Sequence, residues 1–337
     1  MSAIMNFAAH IESSNGTKTG TLNPLYIVVD IFLIASIILG FVFCISFILI
    51  AALHRSCRSV LALLSSNSCL AGLIFSSVQL SNAILLLRED ILLTPVRSHY
   101  CQVRSYLMYV SGSLLYYSYS AQSISRLFYV VFYKQKFLLT YRVHYGLIAI
   151  QWILGFLLPL SILTTGRVQY QLETSQCFIK IRNVSQTLYG MISMFLLPMT
   201  VISICYLYIV CYVRSAVARV KRSNALPIKN FNLIREQGAI HIKQRFSSSR
   251  DVKVFRHIII LITVLCIGGF PYSLLMLMNT KSIAPFSIYR VCITIFSLSV
   301  TADMGAILFF NKNVRTIFFN VLQGQFRTNR VTTTIIR

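Results

Sequence analysis

The sequence predicts an all-α membrane protein, a seven-transmembrane helix bundle with a short amphipathic helix after the seventh span. Only 12% of its 337 residues are charged and 56% are hydrophobic, with a mean hydropathy of +0.71. An average soluble domain has about 25% charged residues, so this chain has too few polar side chains to cover a soluble globule. The apolar residues lie in seven long runs, and the basic residues lie mainly between them. The net charge of +23 therefore does not indicate a nucleic-acid partner.

The apolar runs divide the chain into a polar N-terminal tail (1–24), a helical domain (25–322) and a C-terminal tail (323–337). Each run is long enough to cross a hydrocarbon core about 30 Å thick. The predicted spans are about 26–53, 60–87, 101–133, 143–163, 189–213, 251–278 and 285–310. Residues 311–323 follow as an amphipathic helix on the membrane surface, with Ile317, Phe318, Phe319 and Leu322 on its apolar side.

The segments between the spans are predicted as connecting loops. A charged group, Arg88-Glu89-Asp90, follows the second span, and a longer loop covers about 164–188. The longest polar stretch, 214–250, is rich in basic residues and serine, which favours a flexible cytosolic loop.

The distribution of charge predicts the orientation. The loops after the first, third and fifth spans and the C-terminal tail hold 21 of the 31 lysines and arginines. The positive-inside rule then places the C-terminus in the cytoplasm and the N-terminus outside. The sequons at Asn15 and Asn183 fall on the outer side, where they predict glycosylation. Cys101 and Cys177 fall on that side too, in a compartment where a disulfide can persist.

The third span carries a cysteine at its start and a lone arginine 25 residues later. As a helix, this spacing separates Cys101 from Arg126 by roughly 37 Å, so a thiol lies at one membrane face and a guanidinium lies near the other. Arg126 has a simpler interpretation as a snorkelling anchor at a helix end.

Three other features stand out inside the spans. Asp303 is the only acidic side chain predicted deep inside any span, and an intramembrane acid is by default a functional-site candidate. It is alternatively structural, bonded to Asn67 or to nearby serines, or a proton relay. Asn67 itself is predicted to bond between helices. Pro198 and Pro271 predict helix kinks that neighbouring helices must repair, with or without a switching role.

These positions together resemble the rhodopsin-like (class A) G-protein-coupled receptors over about residues 25–322. The resemblance rests on the joint spacing of positions that match the family pattern. The matching positions are Cys101, Arg126, Trp152, Pro198 with Tyr206 eight residues later, Pro271, Cys177, and Asp303-Met304-Gly305-Ala306-Ile307 followed by Asn311 and Val314-Arg315.

The chain departs from the family pattern at several of these motifs. The Asp-Arg-Tyr triplet is Ser125-Arg126-Leu127, and the Cys-Trp-x-Pro motif is Gly268-Gly269-Phe270-Pro271 without tryptophan. The helix-seven motif has Met304 and Ile307 in place of its proline and tyrosine. The helix-two aspartate position is Gly72, so no sodium–aspartate pocket of the usual form is expected.

The resemblance implies a plasma-membrane receptor that binds an extracellular ligand and activates a heterotrimeric G protein. It also implies a Cys101–Cys177 disulfide, and a resting contact between Arg126 and Asp251 at the start of the sixth span. The residues implied in coupling and switching are Arg126, Asp251, Tyr206, Pro198, Pro271, Asp303 and Asn311.

The sequence limits the class of ligand mostly by excluding candidates. The seventh span has no lysine for a retinal Schiff base, and no acidic residue between Asp90 and Glu173 could pair with an amine. A mixed aromatic and cationic pocket, suited to a peptide or a small molecule, is predicted from Arg104, Met108, Tyr109, Tyr272 and Asn279. The same residues could instead form an interfacial aromatic belt.

Other classes of membrane protein fit less well. A transporter or channel predicts internal repeats or several intramembrane charges, and a membrane enzyme predicts paired acids or metal ligands within the spans. A divergent chemosensory receptor would share the architecture and differ in ligand. We expect no enzymatic activity, cofactor or metal; the expected partners are a G protein, a ligand and membrane lipid.

Overall fold

The computed structural model describes residues 24–54, 57, 59–92, 100–164, 168–171, 176–179, 184–224, 263–264, 266–275, 278 and 286–323. Within these ranges, seven helices form a bundle and an eighth follows it, which confirms the predicted fold class. The helices are α1 (Pro24–Leu53), α2 (Val60–Leu92), α3 (Cys101–Val130), α4 (Tyr141–Thr164), α5 (184–224), α6 (Cys266–Leu275), α7 (Phe286–Phe310) and α8 (Lys312–Leu322). Asn15, Asn183, Asp251 and Asn279 lie outside the described residues.

α3 is the central helix of the bundle and also a polar one. It carries seven serines and six tyrosines, and it is not among the five described helices that are both long and apolar enough to cross a membrane by composition alone. Its 30 residues nevertheless span about 45 Å. It packs against α2, α4 and α5, and fifteen of its residues are buried. Its polar side chains therefore face other helices and not lipid.

Four of the seven buried serines of α3 bond to the preceding turn of the helix, whereas the hydroxyls of Ser105, Ser113 and Ser125 have no hydrogen-bond partner among the described residues. Ser118 Oγ donates to the carbonyl of Leu115 at 2.7 Å, and Ser123 Oγ donates to the carbonyl of Ser120 at 2.8 Å. Serine hydroxyls commonly bond to the preceding helical turn in this way. Small side chains with internal hydrogen bonds let neighbouring helices approach closely.

Two helices extend further than the sequence predicts. α2 continues to Leu92, so the charged group Arg88-Glu89-Asp90 lies in the helix and not in a loop. α5 begins at Val184, within the predicted outer loop, and ends at Asn224, within the predicted basic loop. Alanine, arginine and lysine after residue 213 are strong helix formers, which explains this last extension.

The outer loop between α4 and α5 contains a β-hairpin. β1 (Val168–Gln171) pairs antiparallel with β2 (Gln176–Ile179), and Tyr170 lies opposite Cys177. Both strands contact α3.

The final helix is anchored by its apolar side. Val314 of α8 is fully buried in the main core cluster, and Phe309 at the end of α7 contacts the rings of Phe318 and Phe319. These contacts confirm the predicted amphipathic helix after the seventh span.

Candidate functional site

Arg126 lies four residues before α3 ends at Val130. It is half-buried, and its Nη1 is enclosed without a hydrogen-bond partner among the described residues. Tyr206 on α5 lies close enough for an electrostatic interaction with the guanidinium. A snorkelling anchor would instead hold its charged end in the head-group region. The structure therefore brings two of the predicted coupling residues together between helices.

Pro198 is accompanied by a defect in α5 that α3 repairs. α5 consists of Val184–Met191, a π-helical turn Ile192–Leu196, and Leu197–Asn224; the N–H of Leu197 bonds to the carbonyl of Ile192. In this register the carbonyl of Ser193 would accept from residue 198, but proline has no N–H. Tyr117 Oη donates to that carbonyl at 2.8 Å. The expected repair of the proline defect is thus confirmed.

Tyr117→Phe should destabilise the protein by about 1–3 kcal/mol, because the buried carbonyl of Ser193 loses its donor. Tyr189→Phe is the matched control, since Tyr189 Oη donates at 3.2 Å to the carbonyl of Leu158 in an exposed setting. That change should alter stability by no more than about 0.5 kcal/mol. Thermal unfolding of the two purified variants measures the difference; equal unfolding temperatures would contradict the repair.

An aromatic cluster links five helices in the middle of the bundle. Phe296 on α7 stacks with Tyr116 on α3, with centroids 6.2 Å apart, and with Tyr272 on α6, 6.0 Å away. Phe75 on α2 meets Phe296 edge-on at 5.3 Å, and Phe195 on α5 meets Tyr116 edge-on at 5.2 Å. Such pairs contribute about 0.5–1.5 kcal/mol beyond area burial. Tyr272 directly follows Pro271, so the cluster reaches the predicted kink of α6.

Asp303 on α7 is completely buried. Neither of its carboxylate oxygens has a hydrogen-bond partner in the part of the chain that the structure describes. Tyr116 and Tyr119 of α3 and Cys266 of α6 interact with it electrostatically. A buried polar group without a hydrogen bond is unfavourable. Asp303 therefore does not stabilise the bundle through a hydrogen bond among the described residues.

Asn67 does not satisfy Asp303, and that structural alternative is wrong. Asn67 Nδ2 donates to Gln151 Oε1 at 2.5 Å, and Trp152 Nε1 donates to Asn67 Oδ1 at 2.9 Å. Both partners lie on α4. The prediction that Asn67 bonds between helices is confirmed.

Gly72 and Met304 are complementary in size. A Cβ on Gly72 would lie 2.7 Å from Met304 Cε and 2.8 Å from its Sδ, closer than real Cβ atoms approach. Met304 is fully buried, so its side chain occupies the space beside Gly72. These positions are two of the departures from the family pattern, and the structure shows that they are in contact.

A buried ion triad joins the N-terminal half of α1, the C-terminal part of α2 and the first turns of α7. Arg290 Nη1 bonds to Asp30 Oδ2 at 3.4 Å and to Asp90 Oδ2, while Nη2 donates to Asp90 Oδ1 at 2.9 Å. The guanidinium also lies over the ring of Tyr26, 4.6 Å from its centroid. Asp30 is 1% exposed and Arg290 is 8% exposed. The triad therefore fixes three helices to one another.

This triad was not predicted from the sequence, and the prediction that Asp303 is the only acidic side chain deep in a span is wrong. Asp30 lies in α1 and is just as enclosed. The sequence contains one indication of the triad: Asp30 is the single acid in the first apolar run, and Arg290 is the single base in the seventh. Opposite charges in two apolar helices predict a pair of this kind.

The predicted pocket residues divide between two groups of contacts. Tyr109 and Tyr272 approach each other and Tyr289, with electrostatic interactions among the three phenols. The other two described members face α2. Arg104 interacts electrostatically with Glu89, and Met108 Sδ accepts from Asn82 Nδ2 at 3.5 Å. The phenols approach one another between α3, α6 and α7, which a belt facing lipid would not do.

The cysteines divide into free thiols and a disulfide. Cys101 is disulfide-bonded. Seven of the nine cysteines are free thiols: Cys44, Cys57, Cys69, Cys205, Cys211, Cys266 and Cys292. Across the described ranges, no three His, Cys, Asp or Glu side chains group as metal ligands.

The helical bundle and the contacts at α3, α5 and α7 define a multi-pass membrane protein of the seven-helix receptor class. The model of the family "7 transmembrane receptor (rhodopsin family)" matches residues 44–303, from α1 to α7. The chain belongs to the rhodopsin family of seven-transmembrane receptors.

Among solved structures, squid rhodopsin is similar, with a TM-score of 0.69 and 17% sequence identity. The alignment covers 89% of this chain and 87% of squid rhodopsin. At this identity the likeness shows a shared fold. No curated protein sequence matches the chain.

Proposed function

We propose that the protein is a plasma-membrane receptor that binds an extracellular peptide or small molecule and activates a heterotrimeric G protein, without covalent chemistry of its own. Its receptor domain is residues 25–322, with the tail 1–24 outside and the tail 323–337 in the cytoplasm. The observation that carries the proposal is the pairing of Arg126 with Tyr206 between α3 and α5, with Nη1 enclosed and unbonded among the described residues. A guanidinium with an open donor can bind backbone carbonyls of a partner helix.

The coupling mechanism is a shift between two arrangements of the helices. Movement of α6 away from α3 opens a cytoplasmic cleft that exposes Arg126 to the G protein. In the resting arrangement Arg126 pairs with Asp251, a partly exposed contact that contributes only about 0–1 kcal/mol. Such a contact biases the equilibrium without locking it, so a ligand of ordinary affinity can shift it.

Four further residues of this switch lie on α5, α6, α7 and the start of α8. A π-helical turn precedes Pro198 in α5, and Tyr272, which follows Pro271 in α6, stacks on Phe296 of α7. Both features support helix bends whose angle could differ between the two arrangements. Asp303 has no hydrogen bond among the described residues in this arrangement, which supports a role in a different one. Asn311 joins α7 to α8 through its carbonyl, which accepts from the N–H of Arg315 at 2.8 Å.

The cytoplasmic surface is basic. Arg214, Arg219, Lys221 and Arg222 lie in the last part of α5, and Lys312 and Arg315 lie in α8. This placement supports the orientation given by the positive-inside rule. A basic amphipathic helix such as α8 is also suited to the anionic lipids of the inner leaflet.

We propose the disulfide Cys101–Cys177, which would attach the outer hairpin to the start of α3. Two observations support it: Cys101 is disulfide-bonded while seven other cysteines are free, and the strand that contains Cys177 contacts α3. The same outer side would carry the glycans on Asn15 and Asn183. The hairpin would then cover the mouth of the bundle above Arg104, Met108, Tyr109, Tyr272 and Asn279, the proposed ligand pocket.

Cys101→Ser should reduce the receptor at the cell surface by about tenfold or more, because disulfide loss typically costs 2–5 kcal/mol. Cys211→Ser is the control, since Cys211 is a free, exposed thiol on α5. Surface labelling of an N-terminal epitope tag measures both. Full surface expression of Cys101→Ser, with an unchanged reactivity of Cys177 toward maleimide, would contradict the disulfide.

The test of the function is nucleotide exchange on purified heterotrimeric G proteins by the full-length receptor in phospholipid nanodiscs. Exchange is measured without ligand and with panels of peptides and neutral or anionic small molecules, with Arg126→Ala as the uncoupled control. We expect ligand-dependent exchange by the wild-type receptor only. Equal exchange by wild type and Arg126→Ala with every compound would contradict the proposal.

A further inference from the structure

Two consecutive glycines allow α6 to lie against its neighbours. A Cβ on Gly269 would lie 2.2 Å from Tyr116 Oη on α3 and 2.8 Å from Phe195 Cε2 on α5. A Cβ on Gly268 would lie 1.9 Å from the Oγ of Ser299 on α7. Real Cβ atoms do not approach other atoms this closely. The observed position of α6 therefore requires the absence of both side chains.

Tyr116 fills the space that Gly269 leaves open. Its side chain is 5% exposed and is held by ring contacts with Phe195 and Phe296. The hydroxyl end of a phenol held on two sides cannot move aside without breaking one of these contacts. The large residue on α3 and the missing side chain on α6 are thus a matched pair.

We propose that Tyr116 is the positioning residue that holds α6 in the resting arrangement, with its hydroxyl fitted against Gly269. This inference rests on the proposed function, in which α6 moves away from α3 on activation. A side chain at position 269 overlaps Tyr116 only while α6 lies close to α3. Such a side chain strains the resting arrangement alone, so it shifts the equilibrium toward the active one.

The test uses the full-length receptor in nanodiscs, with ligand-free nucleotide exchange and thermal unfolding as two readouts. Gly269→Ala should raise basal exchange by roughly three- to tenfold and lower the unfolding temperature by roughly 3 °C, as overpacking does. Gly112→Ala is the matched control on α3, because a Cβ there meets nothing within 4 Å. It should leave basal exchange unchanged and should not lower the unfolding temperature, because alanine is a better helix former than glycine.

Rescue separates this contact from general overpacking. Tyr116→Phe removes Oη, and the ring carbon Cζ then lies 3.4 Å from the added Cβ, an ordinary contact distance. Adding Tyr116→Phe to Gly269→Ala should return basal exchange and the unfolding temperature part of the way to wild type, because Phe195 Cε2 still lies 2.8 Å from the added Cβ. Adding it to Gly268→Ala should not, because that overlap is with Ser299.

The outcomes for Gly269→Ala and its double variant either support or overturn the role of Tyr116. Unchanged basal exchange in Gly269→Ala, or no rescue by Tyr116→Phe, overturns the inference. If Gly269→Ala does not fold, recovery of folded receptor in the double variant supports the inference, and failure of the double variant overturns it. If no variant, wild type included, catalyses exchange, the proposed function fails, while rescue of the unfolding temperature still reports on the contact.

Discussion

Arg290→Met is expected to destabilise the receptor by about 3–5 kcal/mol, because it leaves the buried carboxylate of Asp30 and the partly exposed carboxylate of Asp90 without their cation. Asp30 is 1% exposed and the side chain of Asp90 is 20% exposed, so water cannot replace the guanidinium at Asp30. The measurement is thermal unfolding followed by a thiol-reactive dye, since Cys44 and Cys69 are buried free thiols that react only after unfolding.

Two further variants show whether the missing charge is the cause. Arg88→Met removes an exposed charge from the same region of α2 and should leave the unfolding temperature unchanged. Combining Arg290→Met with Asp30→Asn and Asp90→Asn removes the uncompensated charge, so most of the lost stability should return. An Arg290→Met variant as stable as wild type would show that the triad does not hold these helices together.

Arg126→Ala is expected to reduce receptor-catalysed nucleotide exchange by about tenfold or more. Hydrogen bonds from a charged group contribute about 1.5–3 kcal/mol, and 1.4 kcal/mol corresponds to a factor of ten. The stability of the receptor should fall by no more than about 1 kcal/mol, because Nη1 has no hydrogen-bond partner among the described residues and the proposed contact with Asp251 is weak. Exchange assays and thermal unfolding on the same preparation separate the two effects.

The controls for Arg126→Ala are a neighbouring charge and its phenol partner. Arg142→Ala removes an exposed basic residue at the start of α4 and should leave exchange unchanged. Tyr206→Phe removes only the hydroxyl that interacts with Arg126 and should reduce exchange less than Arg126→Ala does. Normal exchange by Arg126→Ala, at equal receptor concentration, would remove Arg126 from the coupling mechanism.

The bundle was predictable because a lipid bilayer requires long apolar helices. The length and hydropathy of each apolar run in the sequence show directly that it meets this requirement. α3 was predictable in spite of its serines, because Cys101 and Arg126 have the spacing of two membrane faces. The amide of Asn67 was predictable as an interhelical contact, since an amide in lipid needs a partner.

Other features depend on contacts between helices that no single run of sequence records. Asp30 and Arg290 are 260 residues apart, and their pairing depends on how α1 meets α7. The hydrogen bond from Tyr117 to the carbonyl of Ser193 depends on a π-helical turn in α5. The residues before Pro198 do not predict that turn. The sequence does not show why position 269 must be glycine, because the reason is the phenol of Tyr116 on another helix.

The contact between Gly72 and Met304 couples the effects of substitutions at these two positions. Restoring an acid by Gly72→Asp would force atoms into the methionine side chain, at distances below 3 Å for the first carbon alone. Restoring proline by Met304→Pro would leave an empty space beside a glycine. Each substitution alone is therefore expected to disturb this contact, and the free-energy changes of the two substitutions should not be additive.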